Sequence, residues 1–359
     1  MSSQSATTNL PQERPTGASG AKAATKPSSR QDLILLWAAI GGSLFFTLVI
    51  WLLGDRLLAV PHYPDQGAAW YYWRLMETTT AARVTAWGGY LLHQISMWAI
   101  IFAAQRARPK YGTDLHWFNW AALGVNALFI SLHIVQTHVW YGGLAEDVSI
   151  WSSQWSVILM LVFIVLMENQ RRGIVFGKKV SFLKQAGAFM RRYHGYIFSW
   201  GLIYTFWYHP TENTFGHLLG FMYTFLLLAQ GSLLFTRVHL NKYWGATLET
   251  LVLVHGTLVA VAQGNGLWPM FAFGFAGVFI LTIMYGLGLP RWVRLSAIGL
   301  YSALAIFVYS RTSLADIHQV TWIPVVYYVA VFALGGLISL GIWLYARLTQ
   351  KSAPPAAAA

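Results

Sequence analysis

Ten long apolar runs, separated by short polar connections, dominate this chain. They fall near 33–54, 85–105, 115–140, 149–168, 193–209, 214–236, 244–264, 267–288, 295–310 and 323–346. About 20 apolar residues in helical conformation match the hydrocarbon thickness of a bilayer. Only 10% of the residues are charged and 56% are hydrophobic. A soluble domain usually has about 25% charged residues, so this much apolar surface needs lipid as its solvent. The expected fold class is all-α: a polytopic integral membrane helix bundle of about ten transmembrane helices.

Lysine and arginine orient the map. With the N-terminus inside, 20 of the 24 fall on inner segments; Arg56, Arg74, Arg83 and Arg311 are the four outside. Cytoplasmic loops carry the basic excess in membrane proteins. Both termini are therefore expected in the cytoplasm, with the bundle in a bacterial-type inner (plasma) membrane. The net charge of +12 belongs to this pattern and not to a nucleic-acid partner. Residues 1–31 read as a disordered polar tail, 32–347 as the bundle and 348–359 as a second tail.

Two connections are long. Residues 55–84 lie outside and hold Trp70, Tyr71, Tyr72 and Trp73 beside Pro61 and Pro64. Rings of this kind suit the headgroup zone, so the loop is expected to fold back over the bundle as a lid. Residues 170–192 lie inside. There Lys178, Lys179, Lys184, Arg191 and Arg192 alternate with Val180, Leu183, Phe189 and Met190. This reads either as a basic amphipathic segment on anionic lipid or as an ordinary positive-inside loop.

Cysteine is absent. Thiolate chemistry is excluded, and any ligation falls to histidine, carboxylate, methionine or tyrosine. Intramembrane polar groups are costly and are default candidates for function. His93, His133 and His255 fall inside spans two, three and seven at comparable depth. They are expected to share one buried site in the outer half. Span three places Asn119, Asn126 and His133 at seven-residue steps, one helical stripe, with Gln136 continuing it. Glu249, Gly256 and Gln263 form a similar stripe on span seven. Such stripes serve either to join helices or to line a path or cofactor; the sequence leaves both open. Gly256 would admit a helix or a flat ring.

Residues 185–265 carry a partial family resemblance. Arg191-Arg192-Tyr193-His194 opens a span that closes on Tyr208-His209. After another span come Arg237, Lys242-Tyr243-Trp244, Leu248-Glu249 and, six residues on, His255. This order resembles the ferric-reductase-like transmembrane domain. The resemblance implies haem b held by histidines on spans five and seven. Together with the depth of the other histidines, this makes His93, His133, His209 and His255 the candidate ligands of a haem, with His194 and His217 as alternates.

Three readings follow. One is a haem b electron-transfer subunit serving a quinone or a redox protein partner. Another is a membrane enzyme with copper, zinc or iron near the outer surface, held by histidines drawn from His62, His93, His133, His138, His217 and His255, with His93, His133 and His255 foremost, and completed by Asp65, Glu212 or Asp316. The third is a transporter, channel or structural subunit with no cofactor.

Overall fold

The computed structural model describes residues 30–351 apart from 65, 67–69, 108 and 265. Of the expected tails at 1–31 and 348–359, residues 1–29 and 352–359, together with Asp65, lie outside the described residues, while 30–31 and 348–351 belong to the first and last helices. Ten long helices follow one another: α1 (Arg30–Leu53), α2 (Thr80–Ala107), α3 (Trp117–Val139), α4 (Ile150–Arg172), α5 (Lys184–Tyr208), α6 (Phe215–Ser232), α7 (Lys242–Ala262), α8 (Trp268–Gly286), α9 (Arg291–Arg311) and α10 (Trp322–Lys351). Among the described residues there is no β-strand, only isolated bridges.

The chain is a helical membrane bundle. Leu48 and Leu52 on α1, Leu300 and Phe307 on α9, and Val329 and Leu337 on α10 stand half or more exposed, and their apolar neighbours continue the same faces. Water does not tolerate apolar faces of that extent; lipid does.

Among the described residues, seven helices are long and apolar enough to cross a membrane, against ten runs expected from sequence: α1, α3, α4, α7, α8, α9 and α10. The difference lies in α2, α5 and α6. These three pack together and supply most of the largest core cluster, including Tyr90, Met97, Ile203, Phe206, Trp207, Phe221 and Phe225. α5 and α6 are largely enclosed by protein and carry Tyr204 and His217, while α2 presents Leu91, Leu92 and Ile95 outward and turns His93 and Gln94 inward, so the mean hydropathy of all three drops. α5 also starts nine residues before the expected span five. Its first turns bury Ala186, Gly187 and Met190 while Lys184, Arg191 and Arg192 stay exposed, so the basic segment is partly the foot of α5.

Helix ends follow local chemistry. Ser149 accepts from the Trp151 amide, and Asn241 accepts from the Tyr243 and Trp244 amides, capping α4 and α7. Gly173 ends α4 at φ +80°. Gly264 and Gly266, both at positive φ, turn α7 into α8, which starts with Pro269. Inside α8, Phe279–Ile283 widens to π-helix. That segment faces the α4–α5 connection: the Phe176 amide donates to the Leu281 carbonyl at 2.8 Å, and the Thr282 hydroxyl donates to the Ile174 carbonyl.

The α1–α2 loop folds back on the bundle. Arg74 donates to the Glu146 carbonyl, while the Leu75 amide and the Thr78 hydroxyl donate to the two carboxylate oxygens of Glu146. Glu146 is only 4% exposed, so these bonds fasten the loop to the α3–α4 connection. We call this the lid end of the bundle and the opposite end, with Lys178, Lys179 and Arg192, the basic end.

Candidate functional site

α3 carries the polar stripe read from its sequence, and every member is buried and bonded. Asn119 donates to the Ser232 and Leu234 carbonyls. Asn126 donates to the Ser232 hydroxyl and accepts from His93 Nε2 at 2.8 Å. The other nitrogen of His93 accepts from Trp207 Nε1 at 3.3 Å, which fixes its tautomer. The Trp207 ring lies 4.2 Å, centroid to centroid, from His133. His133 Nε2 donates to the His209 carbonyl at 2.8 Å, its Nδ1 sits 3.0 Å from Gln136 Oε1, and Gln136 Nε2 donates to the Tyr141 carbonyl. The stripe therefore joins α3 to α2, α5 and α6. Of the two roles open in the sequence, helix joining is the one this bonding satisfies.

His93 and His133 thus flank Trp207. His255 does not join them. It lies on α7 against Gly220 of α6, near Tyr223, with its Nδ1 buried and without a hydrogen-bond partner. Trp207 separates the His93 and His133 imidazoles, and no hydrogen bond or ring contact joins His255 to either among the described residues. No group of three or more His, Cys, Asp or Glu comes together with the geometry of a metal site among the described residues. His62 and His138 instead bond carbonyls of Arg74, Ile134 and Leu53. Asp316 lies on the α9–α10 connection.

The second stripe is divided. Glu249 forms a two-bonded ion pair with Arg172, at 3.0 and 2.7 Å, with the arginine side chain 1% exposed. Gly256 receives the Phe275 ring, the flat ring such a glycine admits. Gln263 sits at the C-cap of α7, well away from Glu249. Sequence reasoning missed Arg172, which reads as one more basic residue at an inner helix end.

The most reactive arrangement lies under the lid. Tyr71 is 8% exposed. Its hydroxyl is 2.9 Å from His209 Nδ1 and 2.9 Å from His217 Nε2. His217 Nδ1 is in turn 2.8 Å from the Thr214 hydroxyl. Trp73 and Phe221 pack on the His217 ring. Burial, followed by the His217, His255 and His133 rings, holds the His209 imidazole well below its usual range. Burial, followed by Tyr208, Glu212 and Glu146, pushes the Tyr71 phenol well above its own. Both groups are neutral near pH 7.

One hydroxyl proton cannot serve two nitrogens. Tyr71 donates to one imidazole and accepts an N–H from the other, so His209 and His217 present opposite protonation toward it. Exchanging the two arrangements passes the Tyr71 proton to His209 Nδ1, the His217 Nε2 proton to Tyr71 and the Thr214 proton to His217 Nδ1; every group stays neutral only if His209 releases its Nε2 proton and Thr214 takes one up, so one proton enters and one leaves. A cavity of about 280 Å³ reaches Tyr71, lined also by Trp70, Arg74, Glu146, Ser149 and Tyr208. Beside it, Tyr141 donates to Glu212 at 2.6 Å. Burial raises the Glu212 carboxyl, against the Tyr141 bond, His62 and His138, which lower it. The run Trp70–Trp73 flagged the loop in sequence, but not which ring turns inward.

No family model matches the chain. Neither a curated protein nor a solved structure does.

Of the candidate haem ligands, His93, His133 and His217 have both ring nitrogens engaged, His194 and His209 keep one without a hydrogen bond, and no hydrogen bond reaches His255 among the described residues. A Cβ added at Gly220 would lie 3.4 Å from the His255 ring.

Proposed function

We propose that this chain is a ten-span, proton-conducting membrane protein, a component of a transport or redox assembly, with its working site under the lid. The observation that carries the reading is the Tyr71 hydroxyl bonded to both His209 and His217. Ionisable groups within membrane bundles mark proton relays, and this relay borders a cavity from which water can exchange protons. The buried Arg172–Glu249 pair is a second ionisable centre toward the basic end, and the α3 stripe runs between the two levels. In purified proteoliposomes, a potassium diffusion potential should drive proton uptake faster than in empty liposomes. Tyr71→Phe removes the exchangeable proton and keeps the ring, so it should slow that uptake at least tenfold. Equal rates for protein and empty vesicles, or for wild type and variant, would overturn the proposal.

The second reading is a haem b electron-transfer subunit working with a quinone or redox partner. It is favoured by one observation: His255 Nδ1 is buried without a partner on the helix where the resemblance expects a ligand. The visible spectrum of the purified protein, oxidised and reduced, separates the readings.

We place α2, α5 and α6 across the bilayer together with the seven apolar helices, both termini cytoplasmic, as the basic-residue distribution supports. The chain has no cysteine, so single cysteines report topology cleanly. In intact cells, cysteine at exposed Glu77 should react with a membrane-impermeant maleimide and cysteine at exposed Lys179 should not. The reverse pattern would invert the map, and labelling of both would break it.

A further inference from the structure

At the basic end two more histidines meet. His194 is on the second turn-pair of α5, and His239 is in the short 3-10 turn Val238–Leu240 between α6 and α7. Their ring centroids are 6.0 Å apart and their planes 35° from parallel. His194 Nδ1 lies 2.8 Å from the Arg191 carbonyl, and His239 Nδ1 lies 3.0 Å from the Gln230 carbonyl. A carbonyl only accepts, so in each ring the proton is on Nδ1 and the lone pair on Nε2. Neither Nε2 has a hydrogen-bond partner among the described residues.

His239 is also gripped from its backbone. Its amide donates to the Thr236 hydroxyl, and its carbonyl accepts from Gln230 Nε2, whose Oε1 is held by Trp244 Nε1. The imidazole is thus fixed before any ligand arrives. A ring whose N–H is tied to a carbonyl while its other nitrogen stays open is the arrangement that metal-bound histidines keep. Metal–imidazole bonds of about 2.0–2.1 Å place two rings on one ion with centroids roughly 5–6.5 Å apart, allowing about 1.2 Å from nitrogen to ring centre. The observed separation falls within that window.

We propose that His194 and His239 bind a copper ion through their Nε2 atoms at the basic end of the bundle. The donor set is two neutral imidazoles, with Arg191, Arg192, Arg237 and Lys242 in the flanking sequence. The flanking stretches 184–199 and 231–246 hold no carboxylate, so the metal must hold nitrogen tightly, and copper leads the divalent series at nitrogen sites. Water completes the coordination.

The test uses the full chain in lipid nanodiscs, titrated with Cu(II) against a competing chelator. Electron spin echo modulation of the bound Cu(II) should show two imidazoles coordinated through one nitrogen, with the remote Nδ1 protonated. His194→Asn and His239→Asn should each weaken binding at least tenfold, and His318→Asn, at an exposed lid-end position, should leave it unchanged. One or no coordinated imidazole in the wild type overturns the site without recourse to any variant. So does tight binding that survives both substitutions.

Discussion

Arg172→Met is expected to destabilise the protein by about 3–5 kcal/mol, the usual cost of removing one partner from a buried ion pair. The guanidinium is 1% exposed and holds Glu249 with two parallel hydrogen bonds between the end of α4 and α7. Without it, Glu249 is left against a small cavity walled by Leu161, Val252, Phe279, Ile323 and Tyr327. Most of the loss is therefore the desolvation of a stranded carboxylate. The double variant Arg172→Met, Glu249→Leu should recover most of it, because replacing a whole buried pair with apolar groups is often neutral or stabilising. Unfolding of the purified protein by SDS in mixed micelles measures both. A single variant costing under about 1 kcal/mol would place the pair among weak surface bridges.

Trp207→Ala is expected to cost about 3–5 kcal/mol in the same assay, as large aromatic truncations in cores do. Trp207 is 1% exposed, packs on His133 and donates to His93. The bundle is shaped for it: a Cβ added at Gly89 would fall inside the indole ring. Trp207→Phe keeps most of the volume but leaves His93 Nδ1 buried and unpaired, so its cost should be about 1–3 kcal/mol. Equal losses for the two variants would show that the hydrogen bond, and not the packing, carries the effect.

The helices were legible in the sequence because apolar runs and turn chemistry are local signals. All ten runs correspond to helices, and the Gly264–Pro269 turn and the α3 stripe stand where the spacing puts them. The partners were not legible. Nothing near Arg172 marks it as the mate of a residue three helices later. Nothing in Trp70–Trp73 says that Tyr71 alone turns inward to bridge two histidines. Comparable depth suggested that His93, His133 and His255 meet, yet depth fixes only one coordinate. Helix rotation and the bulk of Trp207 fix the others. Apolarity alone marks α2, α5 and α6 less strongly than the other seven, because their inward faces carry His93, Gln94, Tyr204 and His217. His194 and His239 looked like inner-face residues, since a carbonyl bond that fixes a tautomer has no sequence signature.

The Arg172–Glu249 pair also bears on how the chain is made. Arg172 is synthesised 77 residues before Glu249. At roughly 5–20 residues per second, about 4–15 s pass before α7 emerges with the matching carboxylate. During that interval α4 holds an unpaired guanidinium at its end, which keeps that end near the aqueous boundary while α5 and α6 are inserted. The pair therefore acts as a late latch in biogenesis: α4 reaches its final depth only when α7 arrives, and a nascent chain cut before Glu249 should leave α4 the least settled of the helices already made.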